Sequence, residues 1–96
     1  MATRNLKGRV VVITGASSGI GLAAAQAFAK KGTRLVVAAR TPSTLEQVAQ
    51  SCRRLGAETI AVPTDVTNPL AVKALVDDTV ARFGQLDVWV NNRSEE

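Results

Sequence analysis

Four apolar runs separated by three helix-like stretches predict an α/β protein, a three-layer α/β/α arrangement around a parallel sheet of four strands. Two observations support this. The strand-like runs are continuously apolar instead of alternating, as strands buried on both faces are. The stretches between them carry helical spacing and end on glycine, and such strand–helix alternation places helices on the faces of a parallel sheet.

The elements follow in order. "VVVI", Val10 to Ile13, is a β-branched run that ends at Thr14-Gly15. From Gly19 to Lys31 a helix is expected with Ile20, Ala23, Ala24, Ala27 and Phe28 inward, stopped by Gly32. "RLVVAA", Arg34 to Ala39, is the second strand. Thr41 then serves as N-cap and Pro42 as the first helical residue, with Leu45, Val48, Ala49, Cys52 and Leu55 inward and Gly56 closing. "TIAVP", Thr59 to Pro63, is the third strand. Asn68-Pro69 opens a third helix, with Val72, Leu75, Val76, Val80 and Phe83 inward and Gly84 at its end; "DVWV", Asp87 to Val90, is the fourth strand.

Right-handed crossovers set the layout. Strands one to three wind outward with the first two helices on one face. The third helix returns over the other face, and the order becomes 3-2-1-4. Strand four is then an apolar edge beside a half-covered face, so self-association or a complementing chain is expected there.

At 96 residues the chain is one small domain, spanning 1–96. Its 46% hydrophobic and 21% charged content belongs to a globular protein. No apolar run approaches the roughly 20 residues of a bilayer span, so no membrane association is expected. The polar start "MATRNLKG" carries no secretory signal, and the single cysteine, Cys52, reads as a core residue. A cytoplasmic protein is the expectation. The net charge of +4 comes from twelve basic residues scattered along the chain, with three aromatics and no tyrosine. No nucleic-acid partner is expected from that pattern.

"TGASSGIG", Thr14 to Gly21, lies between the first strand and the first helix. Gly15 allows the sharp exit from the strand, Gly19 a close approach of phosphate, and Gly21 a helix lying against the sheet. The N–H groups of the helix's first turn, Ile20 included, face a bound anion, and the hydroxyls of Ser17 and Ser18 add donors. This is the phosphate-binding turn of a Rossmann-type, dinucleotide-binding fold. At the end of the second strand a carboxylate would accept from the adenosine ribose and select NAD. Here Ala39 stands in that place and Arg40 follows, which favours NADP(H) over NAD(H) through the charge of the 2′-phosphate.

Three features in this order, "TGASSGIG", Asp65-Val66 after the third strand and "VNN" ending the fourth, resemble the short-chain dehydrogenase/reductase family from Gly8 to Asn92. The resemblance implies that Asp65 bonds the adenine amino group, that Val66 contacts the ring through its backbone, and that Asn91 and Asn92 line the cofactor side of the sheet. It also implies hydride transfer between NAD(P)H and an alcohol or carbonyl. The family's serine, tyrosine and lysine would lie downstream of Asn92, where its Asn-Asn-Ala-Gly motif gives way to Arg93-Ser94. This chain has no tyrosine and no histidine, so neither a catalytic residue nor a metal site is expected in it. The expectation is a cofactor-binding N-terminal portion, cut short before the catalytic segment and inactive alone, with Arg93 to Glu96 as a substitute ending. The alternative is a non-catalytic dinucleotide-binding, regulatory or assembly protein that uses strand four to bind a partner.

Overall fold

The computed structural model describes residues 5–92; the expectation about Arg93 to Glu96 lies outside the described residues. The strands are β1 (Val10–Thr14), β2 (Arg34–Ala39), β3 (Glu58–Pro63) and β4 (Val88–Asn91). Between them run α1 (Gly19–Ala29), α2 (Pro42–Arg54) and α3 (Pro69–Phe83). The sheet is parallel in the expected order β3-β2-β1-β4.

Side chains of β1 and β2 alternate between two separate cores. Val11, Ile13, Leu35 and Val37 face α1 and α2, where Ala25, Ala29, Leu45, Ala49 and Cys52 meet them. Val10, Val12, Val36 and Ala38 face α3 through Leu75 and Phe83. Burial on both faces is the reason these strands show no polar alternation. The single helix on the second face covers more than the sequence suggested. All four of its central β1 and β2 residues are fully buried, and only Ile60, Val62 and Trp89, on the outer strands, remain half-buried.

The expected helix stripes need three corrections. In α1 the buried residues are Gly21, Ala25 and Ala29, whereas Ala23 and Ala27 are exposed and Ile20 is 76% exposed. Small residues at i, i+4 and i+8 let the helix lie close to the sheet, and in an alanine-rich helix hydrophobicity alone hardly distinguishes its faces. In α3, Val80 is exposed and Thr79 takes the inward position. The buried hydroxyl of Thr79 donates to the Leu75 carbonyl at 2.8 Å, which meets its need without a polar partner in the core. Leu55 lies beyond the last turn of α2 and is 40% exposed.

The caps are uneven. Asn68 accepts from the Leu70 N–H at 3.0 Å, but Thr41 caps α2 through backbone shape alone, with Pro42 fixing the entry. Ahead of β4, the Asp87 carboxylate accepts from the Val10 N–H at 2.8 Å and from the Gln85 side chain at 2.6 Å, and Arg9 lies 3.5 Å away. These bonds, led by that of Val10, hold the Asp87 carboxyl below the usual carboxylate range.

Candidate functional site

The glycine loop joins the carboxyl end of β1 to α1. Gly15 has φ +64°, a left-handed conformation that disfavours a side chain, and a Cβ there would strike the Asn92 carbonyl. A Cβ on Gly21 would lie 2.8 Å from Ala16 Cα and 2.9 Å from Asn92 Nδ2, and closer still to the Gly15 carbonyl oxygen. Gly19 is the opposite case: a Cβ there would meet nothing within 4 Å. Two glycines therefore build the loop, and the third keeps its outer surface clear.

Ser18 is the hub of the loop. Its hydroxyl donates to the Gly15 carbonyl at 3.0 Å and accepts from the Gly21 N–H at 3.0 Å and from Asn92 Nδ2 at 2.9 Å. One proton and two lone pairs are thus fully used. The expectation that Ser18 adds a free donor gives way to an internal role, while Ser17 is exposed. The Leu22 N–H bonds the Ser18 carbonyl at 2.8 Å. Among the described residues, the N–H groups of Gly19 and Ile20 remain the uncommitted donors of the first turn.

Asn92, beyond the end of β4, also donates to the Gly15 carbonyl at 3.0 Å. Its neighbour Asn91 accepts from the buried Thr14 hydroxyl at 3.0 Å, opposite it in the β1–β4 register. The two asparagines divide the work: Asn91 locks the strand ends and Asn92 braces the loop. Sequence reasoning placed both near the site but singled out only Asn91. The signal for Asn92 was its position one residue past the strand, where a side chain can turn toward the loop.

Arg40 and Asp65 lie at the carboxyl ends of β2 and β3, whose strands are joined there by a 2.8 Å bond from Thr64 N–H to Ala39 carbonyl. Asp65 Oδ1 accepts from the Thr67 hydroxyl at 2.6 Å and from its N–H at 3.0 Å. Those bonds, with Arg40 adding a smaller attraction, lower the carboxyl pKa. Val66 is 49% exposed on the same turn. Gly19 and Ile20 after β1, Arg40 after β2, and Asp65 and Val66 after β3 thus share the carboxyl edge of the sheet. Among the described residues no group of metal-binding side chains occurs.

The family model for short chain dehydrogenases matches residues 9–94. The chain belongs to the short-chain dehydrogenase family. A relative within it, 11-beta-hydroxysteroid dehydrogenase-like 2 of Arabidopsis thaliana, is 47% identical over 89 residues, 92% of this chain and 29% of its own length. L-sorbose reductase from Gluconobacter frateurii, solved with NADPH and L-sorbose, superposes with TM-score 0.90 at 41% identity, over 95% of this chain and 35% of its own. A short-chain dehydrogenase/reductase from Burkholderia phymatum, solved with NAD, gives TM-score 0.86 at 39% identity, over 91% of this chain and 31% of its own. This short-chain dehydrogenase chain spans less than a third of the length of the curated relatives it matches.

Proposed function

We propose that this chain is the cofactor-binding portion of a short-chain dehydrogenase and holds NADP(H) in preference to NAD(H). The observation that carries the reading is the cradle: a loop packed tight at Gly15 and Gly21, open at Gly19, with the N–H groups of Gly19 and Ile20 uncommitted. A dinucleotide's pyrophosphate matches that arrangement of donors at a helix N-terminus. Ser17 adds a hydroxyl, and Ser18 and Asn92 hold the loop in shape. Asp65 and Val66 stand where an adenine ring would lie, and Asn91 keeps the sheet edge beside it in register. The nicotinamide ring of such a cofactor supplies or accepts a hydride.

The choice of NADP(H) rests on Arg40, exposed directly after the buried Ala39, where a carboxylate would select the unphosphorylated ribose. The relatives solved with NADPH and with NAD are about equally similar to this chain, so the preference rests on that residue alone. Titration of the purified chain with both cofactors tests it. Arg40→Ala should weaken NADPH at least about ten-fold, roughly the value of one charge-assisted phosphate contact, and leave NADH nearly unchanged. Equal loss for both cofactors would remove Arg40 from the reading.

By itself the chain is not expected to turn over an alcohol: Asp65, the carboxylate described at this edge, is held below its ordinary pKa by its bonds to Thr67, away from the neutral range that general acid–base work needs. Substrate-dependent NADPH consumption above that of a Gly19 variant would refute this. A cytoplasmic setting fits the lone buried thiol of Cys52, which burial pushes up from its ordinary pKa toward the unreactive form. A second reading concerns assembly, as a regulatory or binding partner. Val88, Trp89 and Val90 are only half-buried on the edge strand β4, a surface open to a second copy or a complementing chain. Sedimentation at tens of micromolar distinguishes the two, since a clean monomer excludes self-pairing at β4.

A further inference from the structure

The basic residues look scattered in the sequence, but the fold gathers them. Every helix of an alternating parallel sheet ends at the edge where the next strand begins. Here α1 runs into Lys30 and Lys31, α2 ends on Arg53 and Arg54, and α3 carries Arg82 in its last turn. Lys7, Arg9 and Arg34 join them at the starts of β1 and β2, where Gly8 and Gly32 share a 2.9 Å backbone bond. Eight of the ten basic side chains among residues 5–92 thus lie at the amino edge of the sheet, opposite the cradle. Of the six acidic ones, Glu58 and Asp87 accompany them, and Glu46 reaches the edge through its 2.7 Å bond to Arg53.

Some of this charge has a local use. Arg9 approaches Asp87, Arg53 bonds Glu46 and the Thr59 carbonyl, and Arg34 bonds the Gly8 carbonyl and lies over the Phe83 ring. Cations at helix ends also offset the negative dipole there. Lys7, Lys30, Lys31 and Arg54, however, are exposed and have no side-chain partner among the described residues. Three of them close α1 and α2, neighbours on one face joined by a 2.9 Å bond from Gln26 to Ser51. Leu55 is exposed beside Arg54 on the same edge.

We infer that this edge docks on an anionic lipid surface. Basic groups sharing an edge with an exposed leucine suit a bilayer interface, which offers both negative headgroups and an apolar layer beneath. Nucleic acid would use only the charge. The edge is made of turns and helix ends, with no helix laid out to enter a groove and no aromatic platform for bases. Such docking leaves the cradle facing away from the membrane and requires no bilayer-spanning helix, none of which occurs among the described residues.

The test is co-sedimentation of the purified chain with phosphatidylcholine vesicles, with and without phosphatidylserine. Binding should require phosphatidylserine and weaken as salt rises. The triple variant Lys30→Gln, Lys31→Gln, Arg54→Gln should bind roughly a hundred-fold less, at about five-fold per charge. Circular dichroism shows whether the variant is folded, and the salt dependence of the unaltered chain is an independent readout. Equal binding to neutral vesicles, wild-type binding by a folded triple variant, or preference for duplex DNA or polyglutamate over the anionic vesicles would each overturn the inference.

Discussion

Replacing Gly19 or Gly21 by alanine should produce opposite phenotypes, although the two glycines are only two residues apart. At Gly21 the new methyl group meets main chain on two sides, with Ala16 Cα at 2.8 Å and the Gly15 carbonyl closer still. Ordinary contact is near 3.5–4 Å, so α1 or the loop must shift by roughly 1 Å. Overpacking of that kind costs about 1–3 kcal/mol. For a folded unit of roughly 60–100 residues that lowers Tm by roughly 5–20 °C, at about 4–8 °C per kcal/mol. At Gly19 nothing lies within 4 Å and φ is outside the left-handed region, so alanine introduces no strain. It restricts the unfolded chain instead, a gain of about 0.4–1 kcal/mol. The same methyl group, however, stands in front of the free N–H groups where a pyrophosphate would approach. Thermal melts and NADPH titrations on both variants decide the matter. Gly19→Ala should melt at or above the wild-type temperature and bind NADPH at least about ten-fold more weakly, a difference of roughly 1.4 kcal/mol. Wild-type affinity in Gly19→Ala would show that no phosphate passes that face, and an unchanged melt for Gly21→Ala would show that the crowding is absent.

Asn92→Ala removes two hydrogen bonds to the loop, but the Gly15 carbonyl keeps the Ser18 hydroxyl and the Ser18 N–H as donors. The stability cost should therefore be small, about 1–2 kcal/mol by chemical denaturation, with a larger relative loss in NADPH affinity. Asp87 predicts the acid limb of stability. Its folded pKa is depressed, so its contribution is complete above the ordinary carboxylate value and is lost as pH falls through the lower folded value. Asp87→Asn should flatten that part of the stability–pH profile, and an unchanged slope would exclude this carboxylate as its source.

The strands could be read from the sequence because burial on both faces leaves no polar residue to confuse the pattern, as in Val10 to Ile13. The second helix was equally plain, since polar residues such as Ser43, Gln47, Gln50 and Arg54 mark the outer side of the stripe Leu45, Val48, Ala49 and Cys52. The first helix was not. Its inward face is Gly21, Ala25 and Ala29, chosen for smallness, while the bulkier Ile20 points outward near the cradle. Hydrophobicity cannot express a preference for small size. The loop glycines were legible by spacing, but the use of Ser18 and Asn92 depended on side-chain bonds between residues 74 positions apart. The basic edge was invisible for a related reason: the chain visits it once per crossover, never in a run.

The brace from Asn92 to the loop also sets an order of events during folding. Gly15 and Asn92 are separated by 77 positions, so the loop-closure entropy of nearly the whole chain opposes this contact. On a growing polypeptide the turn from β1 to α1 is made early, yet it receives its brace only after β4 has docked against β1. A dinucleotide that required the braced loop would bind only once β4 has docked against β1 and so stabilise β4 by mass action, about 2.7 kcal/mol at a hundred times its Kd. Among the four described strands, β4, which is made after the other three, would then be the one most protected by the ligand from hydrogen exchange.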